Sequence, residues 1–328
     1  MQNLLTVAAQ VGVLFALMAV GALCRRFRLV DAASVKGMVN VLLHVVTPCL
    51  IVDAFQRPFD PSMMRGFAWA ALVALLVHSV AILAARLCPF GDAGARPVLR
   101  LAMVFSNAGF MGIPLEQAIL GAEGVFYGIV YVVMFNIFIW SWGLCEMRGP
   151  GNGERGTGNG ERGTGNGGRG TGWADIRPMV LNPGTIGVGM GIPIFLFSVE
   201  LPSVIHAPVN MLAALNTPLA MLVIGFYLAG AEFRRVLRTP AAYFAAAVRL
   251  VGCPLAALGG LYLLRAHLPR EMMLAMVVAA SAPVAAMVSM FSSKFGRDVD
   301  LSVGLVSGTT LLSILTMPPV IALAMWLL

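Results

Sequence analysis

Nine consecutive residues, Ser106-Asn107-Ala108-Gly109-Phe110-Met111-Gly112-Ile113-Pro114, interrupt Leu101–Leu120, a stretch otherwise fit for hydrocarbon. In a bilayer core every backbone polar group needs an internal partner, so a Gly- and Pro-rich segment persists there only when buried in protein or lining a watery cavity. Pro114 removes one N–H and its ring clashes with the preceding turn, while Gly109 and Gly112 accept backbone angles that other residues resist. The spacing predicts an unwound helix whose free N–H groups bring the positive end of a half-helix toward the midplane. An anion is the natural ligand of such a terminus. Asn107 can donate and accept at the break, and is expected to contact that ligand, to cap the half-helix, or both.

The tetrapeptide Leu-Ala-Met-Val occurs at Leu101–Val104 and again at Leu274–Val277, and the second copy is followed by Ser281-Ala282-Pro283. Two broken helices in corresponding halves of an apolar chain mark the binding region of secondary transporters. The expected substrate site is therefore Asn107, Gly109, Gly112 and Pro114 from the first break, with Ser281 and Pro283 from the second. The second break supplies hydroxyls, Ser281 and Ser289, but no acid, which argues against a carboxylate cage for sodium.

Ionisable residues inside apolar spans are costly and often functional. Glu116, just beyond Pro114, is either a coupling carboxylate or a solvated group near the outer interface. His44 and His78 could shuttle protons near neutral pH or remain neutral and hydrogen-bonded. Asp53 falls near the end of its span and is expected at the interface. Arg249 falls within a span, where it would snorkel to headgroups, form a structural ion pair or attract an anion. Proton coupling, sodium coupling and no coupling all remain open. Ser307, Thr309, Thr310, Ser313 and Thr316 partly follow helical spacing and are expected to bond back to their own helix. Cys24, Cys49, Cys88, Cys145 and Cys253 show no paired spacing, so they read as small apolar residues. No metal, cofactor or catalytic residue is expected.

The elements that must position these groups follow from composition. With 59% hydrophobic and 11% charged residues and a mean hydropathy of +0.86, the chain departs from soluble domains, which carry roughly 25% charge. Apolar runs of about 20 residues occur at 4–24, 35–53, 65–86, 101–120, 124–145, 180–199, 209–230, 241–264, 272–292 and 301–327. The predicted fold is an all-α polytopic membrane protein of ten transmembrane helices. Of the 22 Lys and Arg residues, only Arg57, Arg65, Arg265 and Arg270 fall in one set of alternate loops. Arg249 lies in a span and all others fall in the opposite set. The positive-inside rule then puts both termini outside the inner membrane and the central loop in the cytoplasm. The net charge of +7 is accounted for by inner-leaflet lipid rather than nucleic acid. Arg25-Arg26 follow the first span, which reads as a retained helix rather than a cleaved leader.

Asn152–Gly158 and Asn159–Gly165 both read NGERGTG, and Asn166–Gly172 reads NGGRGTG. No apolar residue there could offset ordering entropy, so 148–174 is expected to be a flexible linker. No strand precedes it and no Gly-Lys-Ser/Thr closes it, against a phosphate loop. It separates 1–147 from 175–328, each with five expected spans, and an odd number of spans forces the halves into opposite orientations. Thr47-Pro48 recurs as Thr217-Pro218 at an offset of 170, close to the 173 relating the two Leu-Ala-Met-Val copies. Asn182-Pro183 suits a helix start, and Gly187 with Gly191 a close helix approach.

The Asn107–Leu115 segment, with Asn182-Pro183, Asn216-Thr217-Pro218-Leu219, Gly225, and Arg249-Leu250 ahead of Pro254, resembles the auxin efflux carrier family of PIN-type exporters and bacterial permeases. The resemblance spans the chain apart from the linker. It implies two inverted five-helix repeats, fourth and ninth helices crossing at Pro114 and Pro283, an elevator-like alternation, and an organic-anion substrate oriented by Asn107. It also makes a homodimer conceivable. The short linker differs from the long inner loop of plant members, which argues against auxin itself and against control by phosphorylation. The expected activity is secondary transport of a small carboxylate, malonate or another dicarboxylate, with a monocarboxylate or amphipathic auxin-like acid as the alternative. An intramembrane enzyme is disfavoured by the lack of His-Glu-x-x-His and Gly-x-Ser-x-Gly, and a sensor by the short loops.

Overall fold

Apolar runs in lipid can satisfy their backbone only by closing it on itself, and the computed structural model of the chain is predominantly helical over residues 2–148 and 183–328, which are the ones described. The tandem repeat lies outside them, as does Asn182. The helices are α1 (Gln2–Arg26), α2 (Ala32–Phe55), α3 (Pro61–Arg86), α4 (Ala95–Val104), α5 (Ala108–Arg148), α6 (Pro183–Leu196), α7 (Ser203–Leu228), α8 (Pro240–Leu264), α9 (Arg270–Ser281), α10 (Ala286–Lys294) and α11 (Val299–Leu327). Seven of the described helices are long and apolar enough to cross a membrane: α2, α3, α5, α7, α8, α11 and the Leu4–Arg26 stretch of α1. The remaining expected spans are shorter or interrupted. α5 reverses direction of course at Gly121, where φ 67 and ψ −155 leave the helical region and only glycine is unstrained.

Three helices widen by one residue per turn at the same distance before a proline. The π-turns Leu42–Val46, Ala108–Gly112 and Val248–Gly252 precede Pro48, Pro114 and Pro254. In each the residue ahead of the proline donates five residues back, Thr47 to Leu42, Ile113 to Ala108 and Cys253 to Val248. The wider turn accommodates the missing N–H and moves the pyrrolidine ring off the carbonyl with which it would collide. Pro114 therefore stands inside a continuous helix.

Packing pairs α1 with α7 and α2 with α6. In the first pair the backbones touch: a methyl added at Gly21 would strike the Leu222 backbone, and one at Gly225 the Met18 backbone. In the second, Gly187 lies against Pro48 and Ile51 and Gly191 against Phe55, the close approach expected of that glycine pair. Leu5, Val20, Leu83, Val204, Leu263, Leu315 and Trp326 project outward and are exposed, an apolar perimeter suited to lipid.

Candidate functional site

The two breaks meet. α4 ends at Val104 and α9 at Ser281, and Ser106 and Val284 face each other as an antiparallel β-bridge. Asn107 N–H donates to the Pro283 carbonyl at 2.7 Å and Ala285 N–H to the Phe105 carbonyl at 2.9 Å. Val284 N–H donates to Thr309 Oγ1 at 3.1 Å, so each unwound segment supplies partners that the other lost. The crossing is not at both prolines. Pro283 lies in it, but the first-half partner is Ser106, and Pro114 sits in the helix beyond the π-turn. The chain breaks at Phe105–Asn107 because backbone pairing across the breaks replaces the helical bonds there, whereas the π-turn absorbs the proline.

Arg249, carried on the π-turn of α8, is 1% exposed. Its Nη1 donates to Val104 O at 2.8 Å and Met103 O at 3.3 Å, and its Nη2 to Ala280 O. One guanidinium thus closes the carbonyl ends of α4 and α9 together, where the helix dipoles place negative partial charge. Neither snorkelling nor an ion pair describes it: the burial is too deep, and its hydrogen-bond partners among the described residues are carbonyls rather than a carboxylate. No local spacing discloses these partners, which lie 31 or more residues away.

Glu116 is fully buried, and neither carboxyl oxygen has a hydrogen-bond partner among the described residues. A methyl built on Gly112 would lie 3.8 Å from Glu116 Oε1 and 3.5 Å from Ala279 Cα. One on Gly128 would overlap the carboxyl group itself. Solvation at an interface is therefore overturned, because helix α5 folds back at Gly121 and covers the side chain with its second limb.

A cavity of about 320 Å³ lies against one side of the crossover. Its polar lining is His44 and Thr47 of α2, Ser106 and Asn107, Asn136 of α5, and Asn216 of α7. The rest is apolar, including Leu43, Ile51, Phe110, Ile113, Phe135, Trp140, Met287 and Met290. Among the described residues, no Lys, Arg, Asp or Glu lines it. Phe55, Phe67, Phe126 and Phe195 pack with ring centroids 4.8–6.4 Å apart.

Of the residues expected from sequence, Asn107, Gly109 and His44 reach this cavity. Asn107 caps α5 by position, without a side-chain cap hydrogen bond. His44 Nδ1 is 3.0 Å from Asn40 O. Gly112, Pro114, Ser281 and Pro283 stand back from the cavity, and Ser281 Oγ donates to its own helix at Val277 O, 2.6 Å. Asp53 pairs with His206 at 3.1 Å and accepts from Asn210, away from the cavity. His78 is buried beside Tyr131, with ring centroids 4.7 Å apart. Asn136 and Asn216 were not singled out as site residues, although an amide in mid-span was signal enough. Thr309 does bond back, to Leu305 O at 2.7 Å, but it also receives the crossover N–H, a role its helical spacing could not disclose.

A family model described as "Membrane transport protein" matches residues 6–165 and 173–321. No curated protein matches the chain. The match covers nearly all of both halves, and with the resemblance carried by the crossover motif it shows that the chain belongs to the auxin efflux carrier family of multi-pass membrane transport proteins.

Proposed function

We propose that the protein is a secondary carrier that moves a small organic anion by alternating access, with the crossover as its binding region. The observation that carries this reading is Asn107. Its amide borders the cavity at the N-terminus of α5, next to the start of α10, and makes no side-chain cap bond. Two helix N-termini with an uncommitted amide between them favour a carboxylate. The arrangement of ten spans in two inverted repeats is part of this proposal. It is supported by the pairings of α1 with α7 and α2 with α6, which exchange when the halves are exchanged, and by the mutual bridge at the breaks.

The sequence favoured malonate or another dicarboxylate. The lining supports a second reading, a monocarboxylate with an apolar body. A second carboxylate buried among Phe110, Ile113, Trp140 and Met287 without a cation would bear a heavy desolvation cost. Uptake of radiolabelled malonate and of phenylacetate into proteoliposomes, with and without a proton gradient, tests both. Saturable uptake of either, lowered about tenfold or more by Asn107→Ala, as loss of a hydrogen bond to a charged group would require, is the expected result. Malonate alone would select the first reading and phenylacetate alone the second. Absence of saturable flux for both and for a wider panel of carboxylates would sink the proposal.

A further inference from the structure

Glu116 has no part in the binding region described above, yet the fold is built around it. Its side chain is 0% exposed, and the carboxyl group rests on Gly128 of the second limb of α5, where any side chain would overlap it. Gly112, one turn earlier on the first limb, lies beside both Glu116 Oε1 and Ala279 Cα of α9. The carboxyl is thus held where the two limbs of α5 and the second broken helix meet. Of the ionisable groups on the helices packed against this limb, Arg25 and Arg26 of α1, His44 and Asp53 of α2, His78 of α3, His206 of α7, Glu271 of α9 and Glu123, Tyr127 and Tyr131 of the second limb, none donates to it or acts on its charge. A carboxylate buried without donor or cation is so costly that such a group takes up a proton instead.

We propose that Glu116 is the proton-binding site of the carrier, and that the proton travels in the same direction as the organic anion. This rests on the carrier reading above. In the packed arrangement Glu116 is the neutral acid. When its contacts with Gly128 and the Gly112–Ala279 approach loosen and water enters, the O–H bond ionises, the proton leaves to water and a carboxylate remains; re-protonation of that oxygen from water permits the limbs to close again. Asn107 opens the same limb that carries Glu116, so a limb that moves the anion moves the proton with it. Glu116 does not line the cavity. Proton and anion therefore do not compete for one place, as exchange in opposite directions at a shared site would require. A monocarboxylate carried with one proton moves without net charge.

The test is uptake of radiolabelled malonate and of phenylacetate into proteoliposomes with an alkaline interior, less the uptake of empty vesicles. The unaltered chain should accumulate its substrate by up to about tenfold per unit of pH gradient, the most that the chemical potential of one proton supplies. In Glu116→Gln, the ratio of uptake with the gradient to uptake without it should no longer depend on the gradient, whatever the absolute rate. Glu116→Met, apolar and of similar length, replaces that variant if it does not fold. Infrared difference spectra at neutral pH give a reading independent of flux: the unaltered chain should show the carbonyl band of an unionised carboxyl group, shifted in heavy water and missing from either variant. Accumulation that follows the gradient equally in the unaltered chain and the variants would overturn this proposal alone, as would absence of the acid band. No saturable flux from the unaltered chain would instead bring down the carrier reading, and the coupling with it.

Discussion

Thr309 accepts the Val284 N–H, which the opposing break does not serve. Thr309→Val keeps the shape and removes the oxygen, stranding Val284 N–H in a buried setting at a cost of about 1–3 kcal/mol. A lower melting temperature in detergent is the expected outcome, and unchanged stability would mean that the N–H finds another partner. Arg249 carries the larger consequence. Arg249→Met preserves the apolar stem but uncovers the carbonyls of Met103, Val104 and Ala280 at once, and should abolish transport while membrane insertion persists, as read by flux and by surface expression. Arg249→Lys offers one compact ammonium where a planar fork spans two helix ends, and should recover only part of the flux. The functional types of Asn107 and Arg249 are legible in the sequence, because polar groups stand out against hydrocarbon. Their partners are not, since the bonds of Arg249 to Val104 O and Ala280 O cross 145 and 31 residues of chain.

At the scale of elements, Gly121 decides whether α5 is one helix or two. Its Cβ position meets nothing within 4 Å, so Gly121→Ala adds no clash and acts through the positive φ alone. A destabilisation of about 1–3 kcal/mol is expected, measurable by thermal unfolding. The close pair α1 and α7 behaves differently: Gly225→Val drives a branched side chain into the Met18 backbone and should prevent the folded monodisperse protein from being recovered. Helix starts outside the membrane depend on exposed caps. The Ser34 backbone N–H lowers the pKa of Asp31, the Ser62 hydroxyl and N–H that of Asp60, and the Ala95 and Gly94 N–H groups that of Asp92. Since the folded value is depressed, this stabilisation is present above the ordinary carboxylate range and is lost as pH falls through the folded values. Acidification below about pH 4 should therefore lower the melting temperature of the protein more than that of Asp31→Asn. The glycines and prolines behind these features are visible in the sequence, yet spacing alone puts Pro114 in the break, whereas it stands in the helix after the π-turn. A π-turn absorbs a proline as readily as an unwound segment does, and the two are distinguished only by what pairs with the freed backbone.

For the whole molecule, the asymmetry of Lys and Arg predicts which end faces the cytoplasm. Cys145 is exposed near the arginine-rich end of α5, and Cys introduced as Val204→Cys lies at the other end, on the exposed face of α7. In right-side-out vesicles, a membrane-impermeant maleimide should label the Val204→Cys site and leave Cys145 unmodified until the bilayer is permeabilised. The reverse pattern would invert the proposed topology. The chain's membrane character, the two breaks, and the location of ionisable groups within apolar spans are all set by local composition and spacing, since hydrocarbon penalises each polar group where it stands. The meeting of the breaks, the capping of two helix ends by Arg249, the covering of Glu116 and the mostly apolar cavity arise from long-range packing. A buried polar group is satisfied by whichever backbone the fold brings to it, and one-dimensional spacing carries no record of that approach.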